Sequence, residues 1–462
     1  MSTALSRADG HGRAAAPVRL AHLGLGNFFR AHQAWYTEHA ADAPDWGIAA
    51  FAGRGSTELA SRLSGQEGLY TLVTRAGDGD RFEIVSSVSE ARLATDHQAW
   101  LSHFGAGSLA AVTLTVTEAG YMRGANGGLD LGRPEVQADL ETLRRDPGAF
   151  VRTPPARVVA GLASRRRADA GPLALVPCDN LPGNGEIAGR IVRELGELVD
   201  PDLATWMTES VSIVTTMVDR ITPRTTPEDV RTVLEATGAA DSCPVLTEPF
   251  SEWVLSGEFP TGRPRWEDAG ATFTVDVRPF ERRKLWLLNG GHSLLAYAGS
   301  ARGRGTVAEA IADEECRGWV EQWWSEASPH LEPPGNEVAA YRAALLERWF
   351  NPRINYRLEQ IAADGSQKLP VRILPVLRAE RAAGRLPEGA TRVLAAWVCH
   401  LRGIGAPVSD ARAEEVVPLA SGALPDAVRR TLALLDPALG EDAEVLATVV
   451  EQSRQLTRPR QR

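Results

Sequence analysis

The stretch that most constrains this chain is residues 18–40, VRLAHLGLGNFFRAHQAWYTEHA, which reads as a short apolar strand, a Gly-Leu-Gly turn and a helix. This is the first strand-to-helix turn of a dinucleotide-binding fold. Gly24 makes the turn, and Gly26, lacking a side chain, lets a pyrophosphate approach the start of the helix. The third glycine of the usual fingerprint is missing from its place. Arg30, in the first turn of the helix, is either an ordinary solvated Arg or one that reaches a phosphate, and with Asn27 and Phe28 beside it makes the first group of candidate cofactor-binding residues.

A second apolar run, residues 46–52, ends at Gly53-Arg54-Gly55-Ser56. An acid at this point grips the ribose of NAD, whereas Arg with Ser suits the 2′-phosphate of NADP. The nearest acid, Glu58, comes late, so this loop leaves the choice between NAD and NADP open. Residues 108–118, SLAAVTLTVTE, look like a buried parallel strand whose carboxyl end brings Thr117, Glu118, Gly120 and Tyr121 near the cofactor. Residues 134–170 read as solvated crossover helices. A strand over 172–177 then leads into Cys178-Asp179-Asn180-Leu181-Pro182-Gly183-Asn184-Gly185, either a plain turn or a source of amide donors for a substrate oxygen. The strand over 211–218 delivers Asp219, which either pairs or caps locally or accepts sugar hydroxyls. Beyond residue 277 the apolar spacing becomes helical. The expectation is an α/β protein: a disordered tail over 1–17, a Rossmann-like dinucleotide-binding domain over 18–275, and a mostly α-helical substrate and catalytic domain over 276–462.

In that second half stands one of only two lysines, Lys284 and Lys368, among 50 basic residues. Where a fixed positive charge suffices the chain uses Arg. Lys offers an amine that can give up its proton when buried, which is what a general base needs. At 100° per residue Glu281, Lys284, Asn289 and His292 fall within an arc of about 140° and could face one cavity. Gly290 and Gly291 between them would leave room for a small ligand against the backbone. Further on, Asp364-Gly365-Ser366 reads as a turn before a helix start that aims Lys368.

A net charge of −9 and pI near 5.6 argue against nucleic acid or an anionic membrane surface as partner. Small molecules fit better. Four scattered cysteines with no CxxC suggest neither a zinc site nor a disulfide framework, and read as buried thiols in a reducing cytoplasm. The first residues lack the apolar core of a signal peptide, and no run reaches transmembrane length.

Taken together, HLGLGNFFRAHQ, GLYTLVTR, TVTEAGY, CDNLPGNG, MVDRITP, KLWLLNGGHS and DGSQKLP, in this order, resemble the long-chain polyol dehydrogenase family, which includes mannitol dehydrogenases and hexuronate reductases such as fructuronate reductase (mannonate oxidoreductase). The resemblance covers nearly the whole chain. It implies metal-independent, NAD-linked hydride transfer in a cleft between a Rossmann-like and a helical domain. It further implies that Lys284 is the general acid/base, that Asn180 and Asn289 polarise the reacting oxygen, and that Glu281 relays the proton to solvent. Asp219, His292 and Lys368 would line the sugar pocket. Mannitol 2-dehydrogenases carry an Arg just before the Asp-Gly-Ser turn; Gln360 stands there in this chain, and QIAADGSQKLPVR looks more like fructuronate reductase. The expected substrate is a sugar alcohol, ketose or hexuronate, with oligomeric state open. A mannitol-1-phosphate 5-dehydrogenase and a non-catalytic sugar or nucleotide sensor on the same fold are the alternatives; a hydrolase is disfavoured, since neither GxSxG nor HExxH appears.

Overall fold

Six short strands pair in parallel in the computed structural model, which describes residues 3–53, 55–124, 126–332 and 335–457. They are β1 (Val18–Leu23), β2 (Gly47–Phe51), β3 (Val88–Arg92), β4 (Ala111–Leu114), β5 (Leu173–Pro177) and β6 (Val211–Ile213). Their order across the sheet is β3-β2-β1-β4-β5-β6, that of a doubly wound dinucleotide fold with its switch point between β1 and β4. Alternate residues feed two cores, as the two-residue period of a strand requires. Leu20, Ile48 and Ala50 enter one, while Ala21, Leu23, Ala49 and Phe51 enter the other with Val112 and Leu114.

The strand expected over 108–118 is confined to β4, and the residues after Leu114 leave the sheet as a loop and a single 3-10 turn, Glu118–Tyr121. The crossover region forms helices Pro134–Arg145 and Pro154–Arg167. The second is not the solvated helix expected: Val158, Val159, Ala160 and Leu162 are buried against the sheet. Its Arg165 is also interior, donating to the carbonyls of Phe104, Ala106, Ala170, Gly171 and Pro172 at 2.7–3.3 Å. Backbone acceptors that would otherwise be buried without donors hold that charge in place.

The tail expected over 1–17 is ordered from Thr3. Thr3 and Ala4 pair in parallel with Ala239 and Ala240, and Leu5 is buried against Leu69. Arg7 then donates through Nη2 to the carbonyls of Ser86 and Val88, each at 2.9 Å, and Arg13 pairs with Glu38 at 2.7 Å. Polar sequence misled here because its arginines serve carbonyls of the body.

The chain divides into two compact units at Arg278/Pro279, three residues beyond the expected boundary. The second unit is helical. Its most buried helix, Glu388–Leu401, is buried over residues 389–401 except at Arg392, and its Trp397 joins Trp323, Trp324 and Trp349 in the core. No helix is long and apolar enough to cross a membrane among the described residues.

Candidate active site

In the first unit the candidate residues gather at the carboxyl ends of β1, β4 and β5, where ligands of such sheets bind. Gly24 has φ +118°, and its N–H and that of Leu25 donate to the carbonyl of Phe51 at 3.1 and 3.0 Å. A Cβ at Gly24 would lie 2.0 Å from the Thr115 carbonyl oxygen, so no side chain is tolerated there. At Gly26 a Cβ would meet only the Gly24 carbonyl at 3.6 Å, so the turn stays open where a pyrophosphate would approach. These glycines therefore suit a dinucleotide.

Under the turn His22 is fully buried and stacks on Phe29 at 3.7 Å between centroids. Thr115 Oγ1 donates to the Gly24 carbonyl at 2.9 Å, so the His22 Nε2–H must donate to that hydroxyl, at 3.0 Å. Burial pushes the imidazole down to about 3, and it stays neutral.

Arg30 does not present itself to a phosphate. It is 2% exposed, donates to the Gly26 carbonyl at 3.3 Å and to Asn27 Oδ1 at 2.8 Å, and makes a further short hydrogen bond to the Cys243 carbonyl. A neighbouring helix position had suggested reach; the interior carbonyls are nearer. Asn27 Nδ2 in turn reaches the Pro223 carbonyl at 3.3 Å, and Phe28 stacks on His32. Thr117 and Glu118 are exposed after β4, and Arg54 lies outside the described residues. Asn180 is exposed in the turn after β5, next to the buried Asp179. Asp219 ends the strand Thr215–Asp219 and is buried.

In the second unit the expected single α-helical arc gives way to a different winding. Arg278–Arg283 is α-helical, Lys284–Gly290 is a π-helix, Gly291–Leu294 returns to α, and Leu295–Gly299 is again π. Lys284 and Asn289 were the two extremes of the 140° arc. The i→i+5 turn of a π-helix narrows the angle between residues five apart, bringing these two toward one side. Side chains support this winding by donating to its carbonyls. Trp323 Nε1 reaches Trp286 O at 2.8 Å, Trp324 Nε1 reaches Leu287 O at 2.9 Å, and Asn289 O accepts from Ser293 Oγ at 3.1 Å and Arg372 Nη1 at 3.3 Å.

Gly290 and Gly291 do not make room for a ligand. A Cβ on the first would lie 2.9 Å from the Trp323 ring and on the second 2.6 Å from that of Trp349. Tryptophan occupies the space. Lys284 is 8% exposed, Glu281 and Asn289 are half-buried, and His292 is buried between the rings of Trp349 and Tyr356 at 5.1 and 5.5 Å.

Asp364, in left-handed conformation, starts the helix Gly365–Arg372, as the turn signal implied. Lys368 Nζ donates to the carbonyls of Ala363 and Ile361 at 2.5 and 3.3 Å, which end the helix Leu358–Ala362. Gln360, on that same short helix, is exposed. One turn beyond Lys368, Arg372 is the residue that sequence reading missed; a single Arg among 48 carries no mark of its own. Among the described residues no group of three or more His, Cys, Asp or Glu is placed to hold a metal ion.

Residues 18–268 match the mannitol dehydrogenase Rossmann domain and residues 276–453 the mannitol dehydrogenase C-terminal domain. The chain is similar to D-mannonate oxidoreductase of Escherichia coli K12, 36% identical over 395 residues that cover 84% of this chain and 80% of that protein. Mannitol 2-dehydrogenase of Cereibacter sphaeroides is 35% identical, covering 82% and 80%. Among solved structures, the mannitol 2-dehydrogenase of Pseudomonas fluorescens in ternary complex with NAD and D-mannitol superposes with a TM-score of 0.82 at 32% identity, over 96% of this chain and 92% of that one.

Proposed function

Since the chain belongs to the mannitol dehydrogenase family, we propose that it is a nicotinamide-dependent oxidoreductase interconverting a secondary alcohol of a polyol or aldonate with the matching ketose or keto-uronate. The observation that carries this reading is Lys284, a scarce residue type buried five positions before Asn289 in a π-wound segment. Burial favours the neutral form of an amine. Such segments recur at functional sites.

Gly24, Gly26, Asn27 and Phe28, with Thr117 and Glu118, would hold NAD. When bound, the nicotinamide accepts or supplies the hydride. Lys284 as the neutral amine takes the proton of the substrate hydroxyl during oxidation, and as ammonium returns it to the carbonyl oxygen during reduction. Asn180 and Asn289 donate through their amides to that oxygen as negative charge develops, a contribution of about 3 kcal/mol for such a donor. Glu281 passes the proton between Lys284 and solvent. Asp219 and His292 take sugar hydroxyls, and Lys368 with Gln360 sets which sugar is accepted. Lys284 leaves no step that requires a metal.

The likeness to D-mannonate oxidoreductase favours a substrate with a carboxylate, for which Lys368 or a nearby Arg would supply the cation. The test is the nicotinamide absorbance change with NADH and NADPH offered separately against fructose, fructuronate, tagaturonate and fructose 6-phosphate. Turnover of fructuronate with NADH supports the uronate arm, and turnover of fructose alone supports the polyol arm. Absence of turnover with all four, or full activity in Lys284→Ala, overturns the reading.

A further inference from the structure

Asp179 is a buried acid that the chemistry above does not use. It is 7% exposed, in the turn directly before Asn180, and both carboxylate oxygens are taken by the segment that follows the neighbouring strand β4. Oδ1 accepts the Val116 N–H at 2.5 Å, and Oδ2 accepts the Tyr121 hydroxyl in a short hydrogen bond. The main chain of the same residue is held from the other side. Asn184 Nδ2 donates to Asp179 O at 3.1 Å and to Thr216 O at 3.0 Å, while Thr216 N–H returns a bond to Asn184 Oδ1 at 3.0 Å. The segment that Asp179 grips is itself tied to the glycine turn, because Thr115, next to Val116, donates to the Gly24 carbonyl. A continuous path of hydrogen bonds and adjacent residues therefore runs from Gly24 through Thr115, Val116 and Asp179 to Asn180.

We propose that Asp179 is a positioning residue for Asn180: its ionised carboxylate ties the turn carrying Asn180 to the loop after β4 through Val116 and Tyr121. The proposal rests on the role assigned to Asn180 above. Two donors converge on the two oxygens, and the ionised carboxylate accepts both with charge-assisted bonds, whereas a protonated carboxyl keeps the Val116 bond and meets Tyr121 only through a neutral one of reversed direction. Burial opposes ionisation and raises the carboxyl to about 7, outweighing the Tyr121 and Val116 bonds that pull the other way. Tyr121 and Cys178, the titratable groups that act on Asp179, are both pushed upward by burial and stay neutral through this range. Protonation of Asp179 replaces the charge-assisted bonds by neutral ones of about half the strength, and the turn loosens. Raising pH through 7 tightens the bridge.

The test compares Asp179→Asn and Tyr121→Phe with wild type in the full-length protein. Asp179→Asn is expected to lower kcat at least tenfold above pH 7 while the dissociation constant for NADH changes less than twofold, and the inflection of kcat near pH 7 disappears. Tyr121→Phe keeps the Val116 bond, loses less, and moves the inflection to higher pH. A readout that needs no substrate accompanies this: the side-chain amide NMR resonance of Asn180 shifts with pH near 7 in wild type and not in Asp179→Asn. Wild-type kcat and pH profile in Asp179→Asn, or a loss of NADH affinity as large as the loss in kcat, overturns the proposal. If Asp179→Asn fails to fold, an unchanged profile in Tyr121→Phe overturns it. If the wild type turns over no sugar, the function assigned above fails, and a pH-independent Asn180 resonance separately overturns the bridge.

Discussion

Arg372 donates through Nη1 to the main-chain carbonyl of Asn289 at 3.3 Å and to Ser293 Oγ at 3.2 Å, so a guanidinium closes the end of the π-wound segment that starts at Lys284. A charged hydrogen bond of this kind contributes about 1.5–3 kcal/mol. Arg372→Met should therefore lower kcat by roughly ten- to a hundredfold. Arg372→Lys should recover part of it, since an ammonium can donate to both acceptors but lacks the planar guanidinium that fixes their direction. Steady-state kinetics decide, with NADH affinity as control: that affinity should not move.

Gly291→Ala should destabilise the second unit. The added methyl would lie 2.6 Å from Trp349, whose ring is buried and stacked on Trp324. Overpacking of this kind costs about 1–3 kcal/mol. The measurement is the denaturant midpoint, and an unchanged midpoint would show that Trp349 can yield.

Gly24→Ala should abolish cofactor binding. Both the positive φ and the 2.0 Å approach to the Thr115 carbonyl forbid the methyl, so the turn must open. Quenching of protein fluorescence by NADH reports the loss.

Acid should weaken the fold through His22 before it acts on the paired carboxylates. Its folded value is lowered from 6.5 to about 3, so its contribution is complete above pH 6.5 and is lost as pH falls from there toward 3. Glu90 and Glu380, lowered from 4.5 to about 2 by their His and Arg partners, lose theirs only below pH 4.5. Asp179 acts in the opposite sense: raised from 3.8 to about 7, it contributes below 3.8 and loses that contribution as pH rises through 7. Between pH 6.5 and 4.5 the stability of wild type should fall relative to His22→Gln, measured by urea denaturation at both pH values. Parallel pH dependence in the two proteins would exclude His22 as the source.

The parallel sheet was legible because its strands are apolar runs ended by glycine or polar turns, and because Gly24 and Gly26 sit where the first of them stops. Lys284 stood out through its rarity. What stayed hidden depends on contacts between distant segments. The π winding breaks the 100° rule by which helical faces are read, and its support comes from Trp323, Trp324 and Arg372, remote in sequence. Gly290 and Gly291 looked like space until the tryptophans were placed. Arg30 and Asp179 could not be sorted into surface or interior from their own neighbourhoods, because the Cys243 carbonyl and the Tyr121 hydroxyl that engage them lie far along the chain.

The pairing of Thr3 and Ala4 with Ala239 and Ala240 also has a consequence in time. At about 5–20 residues per second of synthesis, the partner strand leaves the ribosome on the order of ten to fifty seconds after the first one. Until then the backbone of Thr3 and Ala4 has no strand to pair with. A bulky tag fused ahead of Thr3 would compete with this late closure, whereas one placed after residue 457 would not.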